Sequence, residues 1–283
     1  MKKCKGLIDC FFCNPYFLKL GLVLLLLSYK PISFAVKPAA PTTHQSIFNQ
    51  IKQLPEKDRL DKAYIIYRIN FRRASLNVAM ANLDTLSAIA DELGDKNIQC
   101  SVFDMRADYY SVNKGFNSVS TVYYQKAIDY ARDNEMPLRW GISLNNKAVY
   151  YFIYKQYAAA CQCFLQSEEK FRQVGYANVP NIYVYLLHVI DFYYGLGDYE
   201  NAKINLVEAL KYVPDNSRDE INVINTLALI YRSNREFPQA IDYFNRALSI
   251  ATATKDTVWV GIVKGNIGSV YFLQGNYSRQ SHT

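Results

Sequence analysis

The sequence predicts an all-α protein, a stack of antiparallel helix hairpins, and three observations carry that prediction. Its 283 residues include only 12 Gly and 9 Pro, too few for a turn-rich β protein. Half of the residues are hydrophobic and 14% are aromatic, with 24 Tyr that must be placed regularly if they are to be buried. Columns of similar residues also recur roughly every 40 positions at helical spacing. Disorder and collagen are excluded by the same composition.

The N-terminal segment accounts for the charge. The whole chain carries a formal +7, which by itself would fit a nucleic-acid or membrane-surface partner. Lys2, Lys3 and Lys5 precede the apolar run Leu20 to Ser28, and Ser33-Phe34-Ala35 follows as a small-x-small cleavage pattern, so residues 1–35 read as a secretory signal peptide. The uncharged window Leu20 to Tyr29 is shorter than the roughly 20 residues of a membrane span, leaving an uncleaved short anchor as the alternative. Cys4, Cys10 and Cys13 all precede the apolar run, so no lipoprotein cleavage site is indicated. The segment holds five Lys and one Asp; without it 27 basic and 24 acidic residues remain, a net +3. The expected location is the periplasm or cell envelope. Val36 to Thr43 is Pro- and Ala-rich and reads as a leader, the folded part beginning at His44. Leader and first helix together take residues 36–57, and the repeat array residues 58–283.

The hairpins follow in order. Asp58 to Ala74 with Leu76 to Leu93, stopped by Gly94, form the first, and Asn97 to Val112 with Ser118 to Arg132 the second. Pro137 to Tyr154 with Tyr157 to Val174, Pro180 to Leu196 with Tyr199 to Val213, and Ser217 to Asn234 with Phe237 to Thr254 are the clearest units. In these, Tyr151, Tyr193, Tyr231 and Tyr271 form one column, Ala160, Ala202 and Ala240 a second, Phe164, Leu206 and Phe244 a third, and Ala127, Ser167, Ala209 and Ala247 a fourth. Ser111 stands where the second hairpin should carry Tyr. Each turn puts an aromatic two residues on: Lys155-Gln-Tyr157, Gly197-Asp-Tyr199, Arg235-Glu-Phe237 and Gly275-Asn-Tyr277. A sixth unit opens at Asp256 and its column breaks at Gln280, so the chain is expected to be a truncated or frame-interrupted part of a longer product.

These columns resemble the tetratricopeptide repeat family, with its Leu-Gly or Leu-Ala pair, Tyr three residues later, then Gly-x-Tyr, Ala, Phe and Ala. Leu196-Gly-Asp-Tyr-Glu-Asn-Ala202 with Leu206, Ala209 and Pro214, and Leu227 to Ala247, match best. The period near 40 departs from the family's 34, which implies helices longer by about a turn. HEAT and armadillo repeats share the longer period but lack the Gly-x-Tyr-x-x-Ala turn. The resemblance implies a right-handed superhelical solenoid whose concave face is lined by the first helix of each hairpin. It places Asn145, Val149 and Phe152, then Leu187, Asp191 and Tyr194, then Asn225, Leu229 and Arg232, along a groove for an extended or helical peptide. Asn145 and Asn225 have a second reading, as amides that satisfy a neighbouring helix backbone.

No catalytic, cofactor or metal site is expected. The chain holds three His, and no metalloprotease, P-loop or nucleophile-elbow motif occurs. Gly195-Leu-Gly197 belongs to a repeat turn rather than to a dinucleotide loop. His188 precedes Asp191 by one helical turn, but no nucleophile accompanies them. Cys161 and Cys163 point to different faces of a helix and, with Cys100, read as buried inert thiols. The paired tyrosines come without a basic stripe, so nucleic acid is not an expected partner. A protein or peptide is. Exported repeats of this period look like the sensory part of bacterial envelope signalling proteins, with a free-standing periplasmic ligand-binding or scaffold protein as the alternative; the oligomeric state is open.

Overall fold

A computed structural model of the chain describes residues 44–275. The expected signal peptide, the leader and the tail beyond Gly275 lie outside those residues. Twelve α-helices follow one another: α1 (His44–Lys52), α2 (Glu56–Ile66), α3 (Leu76–Leu93), α4 (Lys96–Lys114), α5 (Ser118–Asp133), α6 (Pro137–Ile153), α7 (Tyr157–Val174), α8 (Ile182–Gly195), α9 (Tyr199–Ala209), α10 (Arg218–Ser233), α11 (Phe237–Ala253) and α12 (Thr257–Leu273). No strand occurs among the described residues. The architecture is an all-α solenoid of antiparallel hairpins. No described helix is long and apolar enough to cross a membrane.

The expected columns are the packing columns. Ala160, Ala202 and Ala240 are fully buried, as are Ala127, Ala209 and Ala247, with Ser167 beside them and Phe164, Leu206 and Phe244 filling the adjoining space. Small side chains let two helices approach closely, and the large one fills the gap that approach leaves. At Gly141 the fit is tightest, since an added Cβ would lie 2.8 Å from the ring of Phe171. The Tyr column is only half-buried. Its neighbour Tyr150 is the buried ring of the pair, stacking on Phe116 and bonding by its hydroxyl to the Asn117 carbonyl at 2.8 Å. Where Ser111 breaks the column, Tyr154 of the next hairpin reaches across and donates to the Ser111 carbonyl at 3.0 Å.

The turns within the three clearest hairpins are closed in one way. Gln156, Asp198 and Glu236 each donate a backbone N–H to the carbonyl of the column Tyr five residues earlier, at 2.8, 2.9 and 2.8 Å. The residue just before each donor, Lys155, Gly197 or Arg235, is left-handed, with φ of 61°, 78° and 62°. Only Gly197 adopts that conformation without strain, so the turn geometry overrides residue preference at the other two.

Three boundaries differ from the sequence reading. α1 packs into the first hairpin through Phe48 and Ile51, both buried, and Phe48 stacks on Phe71 at 5.8 Å. α2 ends at Ile66 and continues as a π-helical turn, Tyr67–Phe71, instead of running as one helix to Ala74. Tyr67 and Arg72, joined by the i to i+5 backbone bond of that turn, both meet Asp108 of α4. α9 stops at Ala209, four residues short of Val213, because Pro214 disfavours helical backbone at the residue before it; Lys211 and Tyr212 make tighter i to i−3 bonds to Glu208 and Ala209.

Candidate functional site

The first helices of the hairpins lie side by side. α2 touches α4, α4 touches α6, α6 touches α8 and α10 touches α12, while α8 and α10 meet less closely, through side chains such as Tyr194 and Ser233, and Tyr183 and Asp219; among the described residues the second helices of the hairpins make no comparable contact with one another. The row of first helices is therefore the tighter, inner layer of the solenoid, and the nine groove positions lie on three of its members.

Those nine positions separate by depth into three rows. Asn145, Leu187 and Asn225, in the same register on α6, α8 and α10, are all buried. They form the floor. Asn145 Nδ2 reaches the Tyr185 carbonyl at 3.5 Å and its Oδ1 meets His188 Nδ1 at 2.6 Å; one repeat pair later, Asn266 Nδ2 donates to Asn225 Oδ1 at 2.8 Å. Each Asn thus bridges to the helix of the following hairpin; Asn145 meets its backbone, the second role that the sequence left open, whereas Asn225 meets a side chain. Leu187 fills the intermediate floor position from within the core around Leu186 and Ile190.

Val149, Asp191 and Leu229 form the second row, and Phe152, Tyr194 and Arg232 the third; all six keep part of their surface open. Phe152 packs edge-on against Phe192 at 5.7 Å, and Gly195 makes room for it, since a Cβ there would come within 3.0 Å of the ring. Tyr194 packs on Tyr199 and its hydroxyl meets Ser233 Oγ at 3.3 Å. Arg232 donates to Ser269 Oγ at 2.7 Å.

His188 and Asp191 do not form the couple their spacing allows. The imidazole is held by Asn145, with Nδ1 as donor because the amide nitrogen is already turned to Tyr185, and burial pushes its pKa down to about 4, so it is neutral at pH 7. Burial pushes the Asp191 carboxyl the other way, up to about 7, and no ion pair or hydrogen bond from a described residue offsets it. His188, weighed in the sequence only as a partner of Asp191, and Asn266, one position beyond the floor row, close the floor without being among the nine expected positions; their shared register with Asn146 and Thr226 was the available signal.

Two other features are distinct from this face. Asp104 of α4 and Arg139 of α6, both nearly inaccessible, pair at 3.1 Å, and Ser143 adds a hydrogen bond to the same carboxylate oxygen at 2.8 Å. Asp104 Oδ1 and Arg139 Nε have no hydrogen-bond partner among the described residues, and burial holds the carboxyl up at about 6 despite the guanidinium. Between α5, α6 and α7 lies a cleft of about 230 Å³ lined by polar side chains such as Gln125, Lys147 and Gln166. Cys163 borders it, and burial raises the pKa of that thiol, which disfavours the reactive thiolate.

Residues 219–279, covering α10, α11 and α12, match the tetratricopeptide repeat family. Those residues carry the tetratricopeptide pattern. No curated protein matches it in sequence. Solved tetratricopeptide-like structures share the fold. A signal transduction ATPase with a tetratricopeptide repeat sensor from Pyrococcus horikoshii superposes with a TM-score of 0.61 at 19% identity, over 81% of this chain and 34% of the other. BtubC from P. vanneervenii gives 0.59 at 15% identity over 75% and 89% of the two chains. A putative kinesin light chain from Podospora anserina, described as having nearly identical repeats, gives 0.53 at 14% over 72% and 99%. Tetratricopeptide arrays are scaffolds for protein interaction, and the fold is that of a non-catalytic repeat scaffold.

Proposed function

We propose that the inner face of α6, α8 and α10 captures an extended segment of a protein partner, and that the chain serves as the exported sensory part of a signalling protein. The capture reading rests on one observation above all: six side chains in two rows, aromatic, apolar and charged, stay partly open on the inner layer while the floor beneath them is closed by its own hydrogen bonds. A pre-formed floor lets a ligand bind without reorganising the helices. Partly open aromatic rings at Phe152 and Tyr194 supply large contact area at small entropic loss.

Export is supported by the basic start, short apolar run and small-x-small pattern of residues 1–35. The sensory role is supported by the likeness to a signal transduction ATPase whose repeats are named as its sensor. The experiment compares the protein, expressed with its own N-terminus, with its Phe152→Ala/Tyr194→Ala variant. The expected result is a purified chain beginning at Val36 and a partner retained from an envelope extract only by the unsubstituted protein, with the helical circular-dichroism signal unchanged in the variant. Equal retention by both would remove the inner face from consideration, and an intact Met1 on the recovered chain would contradict cleavage.

A further inference from the structure

Among the described residues Asp191 has no electrostatic partner. It sits at the centre of the inner face in the same register as Val149 on one side and Leu229 on the other, both apolar and half-buried. The cationic side chains of the flanking first helices are all directed elsewhere. Arg139 pairs with Asp104, Lys147 donates to Gln125 at 2.7 Å, Arg218 pairs with Asp256, and Arg232 donates to Ser269. Lys203 of α9 pairs with Glu200 of the same helix, and Lys211, just beyond its end, pairs with Glu208. The imidazole nearest in sequence, His188, is neutral and bound to Asn145. No described residue hydrogen-bonds the carboxylate, although the residue keeps part of its surface open.

A desolvated carboxylate without a partner is unfavourable in the free protein. Its raised affinity for a proton, with burial as the cause, agrees with that geometry. A cation arriving in the groove would meet a carboxylate already stripped of much of its water, where the attraction is stronger than in solvent. Open edges of Phe152 and Tyr194, one helical turn along in the neighbouring and the same helix, suit the aliphatic stem or planar head of such a group.

We propose that Asp191 is the specificity-determining contact of the groove and selects a peptide segment that presents an arginine or lysine side chain between two apolar residues. The proposal rests on the reading of the inner face as a peptide groove and names the chemistry of its ligand. Adjacent helices lie about 8–10 Å apart, and an extended chain advances about 3.3 Å per residue. Side chains set on Val149, Asp191 and Leu229 would therefore be about three residues apart, giving the order apolar, basic, apolar.

The test uses fluorescein-labelled nonapeptide mixtures with leucine fixed at positions 2 and 8 and either arginine or its neutral isostere citrulline fixed at position 5. Fluorescence anisotropy is read on the mature protein, on Asp191→Asn and on Phe152→Ala/Tyr194→Ala. The expected result is at least about tenfold tighter binding of the arginine mixture by the unsubstituted protein, a gap of about 1.4 kcal/mol, and equal binding of both mixtures by Asp191→Asn. Asp191→Asn should also melt higher than the parent at pH 8 without peptide. A carboxyl whose folded pKa lies above its unfolded value lowers stability as pH rises from about 4 to 7, and the variant should lose that slope. An arginine preference retained by Asp191→Asn overturns the proposal. So does equal binding of both mixtures by the parent; if the double variant abolishes that binding, the groove itself stands. Failure of the parent to bind either mixture contradicts both readings.

Discussion

Replacing Arg139 by Leu lowers the stability of the array by about 3–5 kcal/mol, the range expected when one member of a buried ion pair is removed and the other is left uncompensated. Asp104 and Arg139 are each about 3% exposed, so solvent has little access with which to replace the lost guanidinium. The carboxyl, held up at about 6 even beside Arg139, rises further in the variant and takes a proton near neutrality. The loss should therefore be smaller at pH 5 than at pH 8, because the protonated acid is easier to bury. The Arg139→Leu/Asp104→Leu double variant should recover most of it, since two apolar side chains of suitable volume replace a buried pair at little net cost. Urea unfolding of the four proteins of this cycle measures the effect. A single variant within about 1 kcal/mol of the parent would mean that the pair is solvated.

Phe244→Ala should cost a comparable 3–5 kcal/mol, by a different mechanism. Its ring is fully buried between Ala240 and Ala247 in the cluster that joins α10, α11 and α12, and truncation leaves a cavity between helices already in close approach. In a solenoid each hairpin contacts only its neighbours, so the damage should stay local. Hydrogen exchange should accelerate in α10 to α12 and remain at parental rates in α2 to α5. Uniform acceleration along the chain would show that the array unfolds as one cooperative body.

The hairpins were legible in the sequence because a solenoid repeats its close contacts. Ala160, Ala202 and Ala240 must each be small for the same reason, and a requirement met three times at fixed spacing appears as a column. Lys155 and Arg235 were legible as turn residues only through their alignment with Gly197, since neither favours left-handed backbone by itself. What occurs once left no such trace. Asp104 and Arg139 lie 35 positions apart and pair across two helices, and nothing along either helix distinguishes them from exposed charges. Tyr150 and Tyr151 are adjacent, and which one turns inward depends on the lateral contact with Asn117 and Phe116 rather than on helical period. The nine groove positions share the family register, but the division between floor and opening does not follow from register alone. Asn145 and Asn225 became floor because His188 and Asn266 of the next hairpin met them, a pairing between helices that periodicity along one helix does not contain.

Site-specific photocrosslinking in cells of the source organism tests most directly whether the inner layer is the binding surface. A photoreactive phenylalanine analogue placed at Tyr194, or at Phe152, preserves an aromatic ring where one already packs, and the same analogue at the exposed Gln166 of α7 reports on the outer cleft. Capture by the inner face predicts a crosslinked protein partner from positions 152 and 194 and none from position 166. Crosslinks from position 166 with none from the two inner positions would contradict it.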